Sequence, residues 1–298
     1  MSTPYQRLLR NEVVPRGYVV LGALTIFVGW AVWGIIVLSA ARAIRIDPPG
    51  TTSWITLLAT NLYLISLIPL SIVVARLLNR QTPGLLSSVV GRLRWRPLLW
   101  FTVAALVCEL LSLLVIKLGL VTLLHDNKFS LAPDAVGIIA VVLLTSPIQA
   151  AAEEFFFRGY LLQAAGALVR SPIVIVLVTT ILFTMAHGVW PWESLPLFLD
   201  RFAFGVVAGV LAILTGGIEA PIAVHVMNNV VTFIYAALTD SVGSSLGASS
   251  APWSLVILDI AKFAAFGALA VWLARRQRLE TVSELPLARL PLPGSRLM

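Results

Sequence analysis

The sequence predicts an all-α, polytopic transmembrane helix bundle of about eight spans with both termini in the cytoplasm. Three observations carry that expectation. Of 298 residues, 59% are hydrophobic and only 12% charged, against about a quarter charged in ordinary soluble domains. The apolar residues fall in blocks long enough to cross a hydrocarbon core of about 30 Å, which takes about 20 helical residues. The arginines gather in the connections on one side of those blocks, the asymmetry that sets membrane orientation.

The spans expected from hydropathy run 18–43, 53–77, 98–123, 135–163, 172–187, 194–215, 218–238 and 253–274. Helices are required, because no alternating barrel pattern occurs and unpaired backbone is intolerable in lipid. The fifth span is short and reads as tilted or incomplete. The first follows a basic segment but is longer than the 7–15-residue apolar core of a signal peptide, so it reads as an uncleaved span. One side collects Arg7, Arg10, Arg16, Arg76, Arg80, Arg92, Arg94, Arg96, Arg170, Arg275, Arg276 and Arg278. The other holds Arg42, Arg45, Lys128, Asp126, Asp134, Glu193, Asp200 and Arg201. An even number of spans with both ends cytoplasmic satisfies this bias.

Five stretches follow: a cytoplasmic segment 1–17, N-terminal helices 18–134, a core 135–238, a last helix with its flanks 239–279, and a tail 280–298. The tail is rich in Leu and Pro without helical period and is expected to be disordered. The net charge of +7 does not indicate nucleic-acid binding, since no basic stripe with interleaved aromatics exists. A lone cysteine, Cys108, excludes an intramolecular disulfide and a thiolate cluster; inside an apolar block it reads as a buried, inert thiol.

Charge at membrane depth costs at least about 2.5–3.5 kcal/mol per side chain, so each such residue needs a reason. The densest group lies in the fourth span, where Glu153 and Glu154 are followed by Arg158. Glu154 and Arg158 share a helix face and can pair. Glu153 points about 100° away and has no expected partner on its own helix. A desolvated carboxylate there suits a general base. His187 ends the fifth span, and His225 and Asn229 share a face of the seventh. At about 1.5 Å per residue, Glu153 lies about 15 Å from Gln163, His187 about 22 Å from Pro172 and His225 about 10 Å from Ile218. All three depths fall inside the core, so the residues can converge.

These residues form three ordered patterns: Glu153-Glu154-x-x-x-Arg158, Phe183-x-x-x-His187 and His225-x-x-x-Asn229, the last preceded by Gly205-x-x-x-Gly209 and Ala220-Pro221. Together they resemble the CAAX protease and bacteriocin-processing (CPBP, or Abi) family, which includes the CAAX prenyl endopeptidases. The resemblance spans about 146–232. It implies an intramembrane endopeptidase in which Glu153 activates a water held by His187. His225 and Asn229 would stabilise the oxyanion, and Glu154 and Arg158 would orient the site. The implied substrate is a membrane-embedded or lipid-modified polypeptide; the excess of Arg over Lys and the Ala/Val-rich composition suggest a bacterial plasma membrane, with the site expected to be reached from the cytoplasmic side. Zinc on Glu153, His187 and His225 is an alternative. The missing His-Glu-x-x-His pattern and the poor ligand character of Asn229 favour chemistry without a metal or other cofactor. A non-enzymatic adaptor or self-immunity protein is the competing class, and a proton-coupled transporter a third, the latter disfavoured by the lack of internal repeats.

The remaining polar residues in the spans have simpler readings. Asp259 and Lys262 can pair at three-residue spacing, Lys117 can snorkel, and Glu109 is expected to meet Arg158 or line a cavity. Asn228 reads as a packing or capping contact. Gly205 and Gly209 read as a close helix-packing face, Trp190 and Trp192 as an interfacial belt, and Pro147 as a kink near Glu153.

Overall fold

The computed structural model describes residues 2–10, 13–44, 54–120, 129–243 and 249–287. Arg45, Asp126 and Lys128, part of the charge count on one side, lie outside the described residues, as do 288–298 of the tail.

The helices are α1 (Gly17–Ile44), α2 (Trp54–Ile65), α3 (Leu67–Leu77), α4 (Trp95–Lys117) and α5 (Ala135–Glu154). After a π-helical stretch, Phe155–Leu161, come α6 (Leu162–Leu168), α7 (Pro172–Ala186), α8 (Leu195–Thr215), α9 (Glu219–Leu238) and α10 (Trp253–Arg276). Among the described residues, seven helical segments are long and apolar enough to cross a membrane, with α2 and α3 counted as one and α5 through α6 as another. The protein is an all-α polytopic bundle, and the eight expected spans match its helical segments within a few residues at most ends.

Departures from regular helix have local causes. Pro69 cannot donate to the carbonyl four residues back and crowds it, and the second span accordingly breaks at Ser66, whose hydroxyl donates to the Tyr63 carbonyl at 2.6 Å. Pro147 lies inside α5, yet the helix runs on through it. The irregularity falls instead at Phe155–Leu161, directly after the two glutamates, where the wider π turn re-aims the side chains that follow. Helix α7 has 15 residues, about 22 Å at 1.5 Å per residue, short of a full hydrocarbon core. Gly188 at φ 68° follows it, a left-handed position that glycine occupies without strain. His187 is therefore left at a helix end, partly exposed.

Helix α9 is the hub. It packs against α5, α4 and α8, while α10 closes on α8 and α4, α2 lies on α5, and α7 lies on α8. The Gly205/Gly209 face does what its spacing predicts. A methyl group at Gly205 would press on Thr180 and one at Gly209 on Val176, both from α7. The apolar side chains that cover α1 and α4 point largely outward, including Leu24, Val28, Ile35, Leu99, Leu110 and Leu114. A lipid environment rather than water accounts for that exposure.

One end of the bundle is tied by Arg94, which precedes α4. Its guanidinium grips Glu219 through Nε to Oε1 at 2.9 Å and Nη2 to Oε2 at 2.7 Å, and its backbone N–H donates to Oε1 at 2.9 Å. It also donates to the carbonyls of Thr215 at 2.9 Å and Glu280 at 3.2 Å. Gly216 at φ 69° makes the tight turn from α8 into α9, and a side chain at Gly217 would strike both members of the pair. The N-terminal segment joins the same end. Tyr5, fully buried, donates to the Leu86 carbonyl at 2.6 Å, and burial pushes its phenol well above the ordinary range.

The expected disorder of the tail does not hold at its start. Strand β1 (Thr3–Pro4) pairs antiparallel with β2 (Val282–Ser283). The chain leaving α10 is captured by Arg94 through Glu280 and by the N-terminal strand, two anchors that composition does not reveal.

Arg94→Met leaves the Glu219 carboxylate buried without its cation. We expect a loss of about 3–5 kcal/mol, read as a lowered thermal unfolding midpoint of the purified protein in detergent. The double substitution with Glu219→Met should recover much of that loss.

Candidate active site

The polar cluster is assembled from the C-terminal ends of α5 and α7, the middle turns of α8 and α9, and the π turn. Helix α5 delivers Gln149, Glu153 and Glu154, and the π turn delivers Arg158. Helix α7 ends in Phe183 and His187, α8 contributes Phe204 and Gly205, and α9 contributes His225, Asn228 and Asn229.

Glu154 is completely buried and held from two sides. Arg158 Nη1 donates to its Oε1 at 2.9 Å, and His225 Nδ1 meets the same oxygen at 2.7 Å. The Glu154–Arg158 pair expected from their spacing is thus present, and a histidine from α9 joins it. Since a carboxylate only accepts, His225 Nδ1 carries the proton, which leaves Nε2 as the ring atom turned to other partners. Arg158 also donates to the Gly205 carbonyl at 3.4 Å and lies over the rings of Phe183, 4.3 Å from its centroid, and Phe204, 5.4 Å away. Aromatic faces supply the electron density that water would otherwise offer this cation.

Glu153 faces elsewhere, as the helical geometry predicts, but it is not without a partner on its own helix. Gln149, one turn earlier, donates its amide N–H to Glu153 Oε1. An uncharged amide at i−4 can also donate to a carboxylate, a partner that a count of charged residues misses. Glu153 Oε2 lies 3.9 Å from His187 Nε2, beyond a direct hydrogen bond. His187 Nδ1 is 2.8 Å from the Phe183 carbonyl, so it donates there, and in the neutral ring Nε2 is an acceptor facing Glu153. The imidazole is the most accessible part of the cluster: its side chain is 29% exposed, against 7% for Glu153.

Asn229 donates to Gln149 Oε1 at 3.2 Å. The residues named from the motifs, Glu153, Glu154, Arg158, His187, His225 and Asn229, therefore occupy one site. They divide into two groups, with Glu154, Arg158 and His225 in one and Glu153, His187, Gln149 and Asn229 in the other. Gln149 escaped the motif reading, although a polar residue at i−4 from Glu153 in an apolar helix was the available signal. Among the described residues, no three His, Cys, Asp or Glu side chains converge as a ligand set for a metal ion.

The second polar group does not follow the reading of Glu109. It pairs not with Arg158 but with Lys262, at 3.1 Å. Lys262 also pairs with Asp259 at 2.8 Å, as spacing predicts. Asn228 is neither a cap nor a packing contact, because its Oδ1 accepts from Lys262 at 2.9 Å. Lys117 lies 5.2 Å from the centre of the Tyr235 ring, Cys108 is half-buried, and Trp190 stacks on Trp192 at 4.9 Å between α7 and α8.

Arg158→Met would strand the Glu154 carboxylate with His225 alone. Folding stability should fall by about 3–5 kcal/mol, measured by thermal unfolding in detergent, while Glu154→Gln in the same chain should restore part of it.

Comparison with known proteins agrees with the motif reading. Residues 135–231, which hold every residue of the cluster, match the family described as type II CAAX prenyl endopeptidase Rce1-like. The chain is also similar to an uncharacterized protein, YyaK, of Bacillus subtilis (strain 168), at 28% identity over 183 residues. The match covers 56% of this chain and 60% of that relative's length.

Proposed function

We propose that the chain is an intramembrane endopeptidase that hydrolyses a peptide bond with a water activated by Glu153, a reading supported by the match of residues 135–231 to the Rce1-like family. The observation that carries this reading is the pairing of Glu153 Oε2 and His187 Nε2 across 3.9 Å. Two acceptors at that separation repel one another directly, but a molecule with two O–H donors satisfies both from about 2.8 Å. Water is that molecule. Glu153 takes its proton as the oxygen attacks the scissile carbonyl, with His187 holding the water in line, and returns that proton to the amine nitrogen as the oxyanion collapses and the C–N bond breaks. The partial exposure of His187 supports entry of water from that side.

The oxyanion donors come from α9. Asn229 has two amide N–H groups and spends one on Gln149, so the second is free for a developing negative oxygen. His225, whose Nδ1 is fixed by Glu154 at 2.7 Å, is the second group we assign to the oxyanion. Glu154 and Arg158 act by holding that ring in place. Every step uses side chains of this chain, and metal-independent hydrolysis is part of the proposal. The substrate class we assign is a membrane-embedded or lipid-modified polypeptide. The proposed setting is a bacterial plasma membrane with the site open to the cytoplasmic side, in keeping with the arginine asymmetry.

The test compares protein N- and C-termini by mass spectrometry in membranes carrying the native chain or Glu153→Gln at matched expression. New termini that appear only with the native chain are the expected result, and they name the substrates. Identical profiles, with the cellular phenotype kept by Glu153→Gln, would overturn catalysis in favour of an adaptor or immunity role. A strong chelator should leave the cleavage intact, and chelator-sensitive cleavage restored by zinc would replace the metal-free step.

A further inference from the structure

Lys262 is buried in α10 and all three of its N–H donors are used. They go to Glu109 at 3.1 Å, Asp259 at 2.8 Å and Asn228 Oδ1 at 2.9 Å. The third bond begins a series. Asn228 Nδ2 donates to Asn229 Oδ1 at 3.5 Å, Asn229 Nδ2 donates to Gln149 Oε1 at 3.2 Å, and Gln149 Nε2 donates to Glu153 Oε1. Each amide accepts through its oxygen and donates through its nitrogen, in the same sense, from an ammonium at one end to a carboxylate at the other.

We infer that Lys262 and Asn228 are positioning residues for the proposed active site, acting through this one-way series of amides to present Glu153 and Asn229. The inference rests on the endopeptidase reading for its catalytic meaning. A primary amide is satisfied in either of two orientations unless its partners decide. Glu153 at one end can only accept, and Lys262 at the other can only donate, so all three amides are forced into one orientation. Aligned hydrogen bonds in a low-dielectric interior also polarise one another. The consequence falls on the two groups the mechanism needs. Glu153 Oε1 is engaged by Gln149, which leaves Oε2 toward His187. Asn229 is held by its oxygen, which leaves its spare N–H fixed in direction.

Lys262 determines the sense of the series because of what surrounds it. Without the ammonium, Glu109 and the neighbouring Asp259 would draw the Asn228 NH₂ toward themselves. Asn228 would then turn its oxygen toward Asn229, and Asn229 would have to reverse in turn, facing Gln149 with an oxygen. The series would break between α9 and α5. A merely charge-balancing lysine would not have this effect.

The experiment separates the two roles. Asn228→Asp is nearly isosteric and keeps the bond to Lys262, but an ionised carboxylate has no donor for Asn229. The pair Lys262→Met with Glu109→Gln removes the ammonium and one opposing charge together, so the fold is not left with both carboxylates uncompensated. Glu109→Gln alone is the control and should cleave as the native chain does. For Asn228→Asp and the Lys262→Met/Glu109→Gln pair, kcat on the substrates found above should drop roughly tenfold to a hundredfold, with KM and thermal midpoint close to those of the control. In parallel, the infrared carboxylate band assigned to Glu153, as the one lost in Glu153→Gln, should shift in both variants. Native kcat and an unmoved band would overturn the inference while leaving the protease reading in place. If Glu153→Gln itself cleaves at the native rate, the protease reading falls, and with it the catalytic role inferred for Lys262 and Asn228. The band then decides whether the amide series exists as an arrangement.

Discussion

A single buried carboxylate, that of Glu154, holds the polar core together. Completely enclosed in an apolar bundle, it would be intolerable without compensation. It is compensated from two directions at once, by Arg158 from the turn that follows it and by His225 from α9. Because both partners address one oxygen, their positions are set relative to each other. Helix α5, the π turn and α9 are thereby locked at one depth, and Arg158 extends the lock to α8 through the Gly205 carbonyl. The arrangement contributes specificity of position more than net stability, as buried ion pairs commonly do.

Around that joint, the adjacent glutamate has a different environment. Glu153 receives an amide hydrogen bond rather than a cation and faces an imidazole at 3.9 Å. Two neighbouring residues of the same type thus have different surroundings, since a rotation of about 100° turns them toward different neighbouring helices. One is neutralised and structural. The other takes an amide hydrogen bond and lies next to the most accessible ring of the cluster, surroundings in keeping with the proposed base for water. The shortness of α7 belongs to the same design, because a full-length span would have carried His187 through the core.

The membrane character and the eight segments were legible because lipid leaves the chain so few options. A backbone in hydrocarbon must be helical or barrelled, and hydropathy reads out the lengths. The site was legible for a related reason. Each charge at depth is costly, so Glu153, Glu154, Arg158, His187 and His225 stood out against an apolar background, and their gathering in one cluster follows that logic. Uncharged residues were harder to read. Gln149, Asn228 and the arginine-anchored start of the tail pay a smaller cost of burial, so they gave weaker signals.

The sequence by itself determined that this chain is a helical membrane protein, where its spans lie, and which charged residues must find partners inside. Spacing within one helix also settled the local pairs Glu154–Arg158 and Asp259–Lys262, because a helix repeats the same geometry wherever it occurs. Tertiary structure alone decided the pairs between helices. Glu109 meets Lys262 and not Arg158, His225 meets Glu154 and not Glu153, and Glu280 folds back onto Arg94. Those choices depend on which faces of α4, α5, α9 and α10 are turned toward one another. That rotation is set by packing summed over whole helices, and no local run of residues encodes it.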